Sequence, residues 1–240
     1  MYKSLTLLFF LGIFGFSSPL RAEDESTYDT TIDLSLVEQA SHISTGGSGG
    51  KPYYSLDIQG VHFEGERNWS LRWNLFKDIL NFENKKILEL GCNTALSSTY
   101  LLKYRQALAC TGVDLPDDQL TFKGIPRLME AANLLHHAFR VKVKMLQLNL
   151  DEDEYERTLG YDYDVVICMS LLNWVHDKER LLDYLSKFTH VIFEGHEADE
   201  IEIARFQQIG FSNYRILGKT QIGKSYPANA TRTLIYFHKD

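Results

Sequence analysis

A doubly wound α/β fold, built on a mostly parallel seven-stranded sheet that closes with an antiparallel C-terminal hairpin, is what this sequence predicts. Three observations predict it. From residue 53 onward, short apolar runs alternate with amphipathic stretches of helical spacing. The first central run, "KKILEL", leads into a glycine turn and then a helix. The last two runs have too little sequence between them for a helical crossover, so they pair antiparallel.

Taken in order, "NWSLRWNLFKDILNF" puts Trp69, Trp73, Phe76, Ile79 and Leu80 on one helical stripe. "KKILEL" is a short buried strand and "ALSSTYLLKY" a helix; "ALACTGVDL" is a second strand ending near Asp114. "IPRLMEAANLLHHAF" is a helix, with His136 and His137 facing solvent or the core edge, and "VKVKMLQLNL" is a third strand. "YDVVICMS" is a fourth strand, followed by the helix "DKERLLDYLSKF". "HVIFEG" is a fifth strand and "DEIEIARFQQIG" a helix that stops at Gly210. "YRILGKT" and "RTLIYFHK" form the closing hairpin.

Ahead of this domain stand two further segments. Residues 1–22 carry Lys3, an apolar run from Leu5 to Phe16, then small residues and Ala22, the layout of a secretory signal or membrane anchor. The run is shorter than the roughly 20 residues of a spanning helix. The alternatives are an uncleaved anchor or a start site placed too far upstream. Export or membrane association follows from the first two, a cytoplasmic location from the last. Residues 23–52 are polar and end in "STGGSGGKP", a flexible linker by composition. Lys51 fails as a phosphate-loop lysine, because Thr45 stands where glycine is required and Pro52 where a hydroxyl is required.

Composition narrows the partners. The net charge is -7, with scattered Lys and Arg, which argues against nucleic acid. Cys92, Cys110 and Cys168 are odd in number and lie in or beside core strands, so they read as reduced core thiols. No set of His, Cys and carboxylates shows metal-ligand spacing.

In an open parallel sheet the ligand sits beyond the carboxyl ends of the strands. That places Glu89, Gly91, Asn93, Asp114, Asn149, Leu150 and Ser170 together. Gly91 is the one glycine of its loop, with Asn93 and Ala95 at the next two alternate positions. Asp114, 25 residues after Glu89, has the spacing of an acid that accepts both hydroxyls of a ribose.

With "LELGCNTA", "TGVDL", "LQLNLDE", "YDVVICMSLLNWVHDKERLLDYL" and the antiparallel ending, residues 53–240 resemble the class I S-adenosylmethionine-dependent methyltransferases, a Rossmann-like family. The resemblance implies S-adenosylmethionine as cofactor. It implies that Glu89 and the Gly91 loop, Asn93 included, meet the methionine end and that Asp114 holds the ribose. Asn149 stands where the family has an acid near the adenine amino group, with Asp151 as a substitute; Leu150 contributes backbone, and Ser170 sits at the mouth of the fourth strand. Arg72 is a partner for the methionine carboxylate. A missing Asn-Pro-Pro-Tyr signature after "VVICMS" argues against base or amide nitrogen as target. The implied acceptor is a small molecule, a sugar or a lipid-linked group, methylated at oxygen.

A hydroxyl acceptor requires a base, and His176, Glu194 and His196 lie past the fourth and fifth strands. "DIQGVHFEGERNW" reads either as a lid over the cofactor, with Tyr53, Tyr54, His62, Phe63 and Arg67 as acceptor contacts, or as a loop packed on the domain. Two rival readings remain: an exported, non-catalytic module with this fold, and a nicotinamide oxidoreductase.

Overall fold

The computed structural model describes residues 31–121, 125, 127–227 and 230–240. The apolar run read as a signal or anchor lies outside them. No helix among the described residues is long and apolar enough to cross a membrane.

The chain opens with α1 (Leu34–Ser41), then a small sheet of β1 (Tyr54–Ile58), β2 (Val61–Phe63) and β3 (Arg67–Asn68), then α2 (Trp69–Phe76). The main sequence of strands and helices follows: β4 (Lys86–Leu90), α3 (Leu96–Arg105), β5 (Ala109–Asp114), α4 (Asp117–Thr121), α5 (Leu128–Phe139) and β6 (Lys144–Gln147). After these come α6 (Tyr155–Leu159), β7 (Val165–Met169), α7 (Lys178–Leu185), β8 (His190–Glu194), α8 (Asp199–Gln208), β9 (Asn213–Gln221) and β10 (Thr231–His238).

The large sheet has seven strands in the order β6-β5-β4-β7-β8-β10-β9. Five are parallel, and β10 pairs antiparallel with both β8 and β9. This is the fold class the sequence predicts. The chain steps outward from β4 through β5 to β6, then returns to lay β7 on the other side of β4. The loops after β4 and β7 therefore part, and a crevice opens between them.

Successive residues of each strand serve opposite faces. Ile87, Cys110, Val165, Ile167 and Ile192 pack with α2, α3, α5 and α1 on one face. Leu88, Val113, Val166, Cys168 and Phe193 pack with α6, α7 and α8 on the other. All three cysteines are free and buried.

The linker expectation for residues 23–52 fails from Ile32 onward. Asp33 caps α1 by accepting from Ser35 N and Leu36 N at 3.0 and 3.4 Å, an ordinary helix start. Ile32, Val37, Ala40 and Ile43 are buried, and α1 lies against α5. Residues Ile32–Asp240 form one compact unit, so the domain begins about twenty residues before Tyr53. Averaging polarity over the whole segment hides this short apolar stripe. The stripe helix is also shorter than its pattern: α2 ends at Phe76, and Ile79 and Leu80 pack on the core from the turn beyond.

Candidate functional site

A cavity of about 690 Å³ lies over the carboxyl ends of the parallel strands, within the usual size range for small-molecule sites. Its two ends are built differently.

At the end over β4, β5 and β6, backbone geometry sets the positions. Gly91, Asn93 and Ala95 all have positive φ, at 63°, 52° and 53°. Asn93 and Ala95 thus hold the left-handed conformation that glycine adopts freely, which answers why the loop works with one glycine. Gly91 itself is packed so closely that an added Cβ would come within 2.9 Å of the Leu171 side chain. Asn93 is tied at both ends: its N–H donates to Asp114 Oδ2 at 2.7 Å and its Nδ2 to the Thr45 carbonyl at 2.7 Å. Asp114 also accepts from Leu115 N at 2.8 Å, so its carboxylate is held at the cavity wall by backbone. Asn149 donates to Gln119 Oε1 at 3.0 Å and accepts from Asp151 N at 3.0 Å. Leu148 and Leu150 give that end an apolar wall.

At the end over β8 and β10, side chains drawn from distant segments converge on one carboxylate. Glu194, fully buried at the end of β8, accepts from Arg67 at 3.1 Å, Arg72 at 2.5 Å and Thr220 Oγ1 at 2.5 Å, and from the Ser170 hydroxyl. Burial alone would raise its pKa, but Arg72 and Arg67, with the two hydroxyls, outweigh burial and hold it well below the usual carboxylate range. Arg67 also donates to the Tyr53 hydroxyl at 2.9 Å, and Arg72 to the Tyr54 hydroxyl. Burial pushes the Tyr53 phenol up, yet the two arginines bring it below its ordinary value.

The structure brings Gly91, Asn93, Asp114, Asn149, Leu150, Ser170 and His176 to the cavity wall. Four expectations fail there. Glu194 is no general base, because every donor around it favours the ionised form and none leaves it open to a substrate. Arg72 does not reach a methionine carboxylate; its guanidinium is buried against Glu194. Glu89 turns away from the cavity into α3, accepting Ser98 N at 2.9 Å and Ser98 Oγ at 2.8 Å. His196 stands behind the wall beside Arg232, with neither ring nitrogen partnered among the described residues; burial, then Arg232, pushes it down to about 4. His176 is exposed at the rim, its ring 3.3 Å from Asp151.

The strip read as a lid is the small sheet β2-β1-β3. Tyr53 and Tyr54 line the cavity, whereas His62 points outward to Asp57 and Glu64, Phe63 packs on the core and Arg67 is buried. His136 is buried rather than at the core edge. Sequence reading missed Thr45, Tyr226 and Arg232 as wall residues. Thr45 was hidden in the glycine-rich run. Arg232 left one signal, a cation next to the buried strand residues "TLIYF".

Comparison with known proteins agrees with this geometry. Residues 88–190 match the family described as a methyltransferase domain. A ubiquinone biosynthesis O-methyltransferase of Hydrogenovibrio crunogenus is 30% identical over 117 residues, 49% of this chain and 43% of that protein. The crystal structure of EvdMO1 superposes with a TM-score of 0.56 at 15% identity, over 90% of this chain and 49% of that one. Its N-terminal domain in the presence of SAH and D-fucose gives 0.53 at 14% identity, over 88% of this chain and 99% of that one. The chain spans under half the length of the curated relative.

Proposed function

We propose that this chain, which carries a class I Rossmann-like methyltransferase domain, transfers a methyl group from S-adenosylmethionine to an oxygen of a small molecule. The single observation that carries the reading is the cavity end at which Asp114, Asn93 and Asn149 meet over the split between β4 and β7. The donor set fits the cofactor. A backbone-clamped carboxylate suits a ribose diol, Leu148 and Leu150 suit the faces of a purine, and Asn149 suits its edge. Gly91 and Ser170 border the space left for the methionine end. When bound, S-adenosylmethionine supplies an electrophilic methyl group.

The chain's own contribution is placement, since in-line displacement depends on holding the nucleophile in reach. Tyr53, Tyr54 and Tyr226 wall the remaining space and would hold the acceptor. A hydroxyl acceptor requires a base, and His176, at the rim of the cavity beside Asp151, is the candidate that reaches the wall. An acceptor that is already ionised requires no base. The O-methyltransferase relative supports oxygen as target, and the D-fucose in the EvdMO1 structure supports a small acceptor. Export or anchoring through residues 1–22 belongs to the same proposal, and fractionation of cells making the full chain tests it.

Calorimetric titration with S-adenosylmethionine and S-adenosylhomocysteine, beside Asp114→Ala, tests the cofactor site. Micromolar binding lost in the variant is expected. A folded wild-type chain that binds neither compound would sink the enzyme reading in favour of a non-catalytic module.

A further inference from the structure

We infer that the acceptor carries an oxyanion, a carboxylate or a phosphate ester, that docks on Arg232; this rests on the methyl-transfer reading above. Arg232 lies on β10 and lines the cavity, with its side chain only 13% exposed. Among the described residues no group accepts a hydrogen bond from its guanidinium. The nearest carboxylate oxygen is Glu194 Oε2, 4.0 Å from Arg232 Nη1, beyond hydrogen-bond distance. That carboxylate is already taken by Arg67, Arg72, Ser170 and Thr220. Arg232 Nε is sealed off without an acceptor, so in the cavity that this side chain lines the two terminal nitrogens are the ones left to meet a ligand.

Charge counting points the same way. Three guanidiniums, Arg67, Arg72 and Arg232, face one carboxylate at this end. Glu66, also on the wall, is occupied by the Ser225 N–H at 2.8 Å and the Ser225 hydroxyl. A guanidinium stays protonated and presents a planar fork matched to carboxylate or phosphate oxygens. One held in a half-closed wall with no protein acceptor is a site waiting for an anion. Arg67 and Arg72 keep enough positive charge, despite Glu194, to bring the nearby Tyr53 phenol below its ordinary value.

Position separates this anion from the cofactor. Asp114 ends β5, and β4, β7 and β8 lie between that strand and β10. Four strand spacings put Arg232 roughly 19 Å across the sheet from the ribose end. Tyr53 and Tyr226 share this part of the wall with it.

The test uses the full chain saturated with S-adenosylhomocysteine and titrated with benzoate, phenyl phosphate, benzyl alcohol and inorganic phosphate. Benzoate or phenyl phosphate should bind about tenfold or more tighter than benzyl alcohol, as a charge-assisted pair predicts. Arg232→Gln should abolish that preference, Arg232→Lys should keep part of it, and S-adenosylhomocysteine affinity should shift less than about twofold in both. Thermal melts check that both variants fold. Four results would overturn the inference: no anion preference in the wild type, a preference retained in Arg232→Gln, inorganic phosphate binding as tightly as phenyl phosphate, or S-adenosylhomocysteine affinity falling in step with the anions. The last would assign Arg232 to the methionine carboxylate. Repeating the titrations without S-adenosylhomocysteine keeps the two readings apart. A wild type that binds no S-adenosylhomocysteine yet keeps an Arg232-dependent preference would end the methyl-transfer reading and leave the anion site standing.

Discussion

Over β4, β5 and β6 the cavity is shaped by main chain: three left-handed residues in one loop, and a carboxylate clamped by two backbone N–H groups. Over β8 and β10 it is shaped by side chains from β3, α2, the turn after β7, β8 and β9 that meet only in the folded protein around Glu194. The first end depends on short loops after three neighbouring strands and tolerates Asn93 and Ala95 in place of glycine. The second depends on charges more than a hundred residues apart, and it fails as a unit.

Glu194→Ala should break the contrast most severely. It strands Arg67 and Arg72 as uncompensated buried cations, and denaturant titration should show a loss of about 3–5 kcal/mol. A loss below about 1 kcal/mol, as for a surface ion pair, would mean that the cluster is not what holds this end. Because the Glu194 pKa is depressed on folding, its stabilisation is present above the ordinary carboxylate range and is lost as pH falls below it.

Asp114→Ala should do the reverse, costing only about 1–2 kcal/mol of stability for the Asn93 and Leu115 N–H groups it leaves without their acceptor, and emptying the backbone-built end. Removing two charge-assisted hydrogen bonds of about 1.5 kcal/mol each weakens cofactor binding roughly a hundredfold by calorimetry. Equal losses of stability and affinity would erase the distinction between the ends.

Each end also carries one suppressed histidine. His136, buried on α5, and His196, beside Arg232, are both pushed down to about 4, chiefly by burial. The unfolded chain takes up these protons near the ordinary value of 6.5 while the folded chain resists to about 4. Stability should therefore fall as pH drops from 6.5 to 4, by about 3 kcal/mol for the buried His136 and less for the partly exposed His196, and stay flat above. His136→Gln and His196→Gln should each flatten that slope by about one proton. An unchanged slope in either variant would remove that residue from the account.

Asn93→Ala is the mildest probe. It deletes the bond to Thr45 and puts a poorer left-handed residue in the loop, for about 1–2 kcal/mol of stability. Asn93→Gly should recover the backbone part alone.

The same contrast explains what could be read from sequence. The seven strands along the chain, and Gly91, Asn93, Asp114 and Asn149, follow from local pattern and spacing, because each of these residues stands at the end of a strand whose own pattern marks where it stops. Arg72 and Glu194 stand out in the sequence as site residues, but their pairing with each other, and so their role, does not. Nothing local says that "RNWSLR" and "FEGH" meet, and two opposite charges in contact cancel each other's apparent availability. Glu89 went astray for a related reason: its spacing fits the cofactor loop, but Ser98 offers two donors one helical turn into α3. Residues Ile32 to Thr45 were lost to composition, since an eight-residue helix contributes few apolar positions to a polar segment.

The place of β10 has a consequence for synthesis. It lies between β8 and β9, yet it follows both along the chain. While the protein is being made, β9 emerges with no strand to join, and β8 keeps a bare edge until residues 231–238 arrive to fill the gap. Leu234, Ile235 and Phe237, among the most buried side chains of the molecule, arrive with it, and so does Arg232. The nascent chain must therefore hold a sticky sheet edge in suspense. The cavity wall around Arg232 comes into being in the same event that makes the chain safe from aggregation, so no partly made copy has a finished cavity.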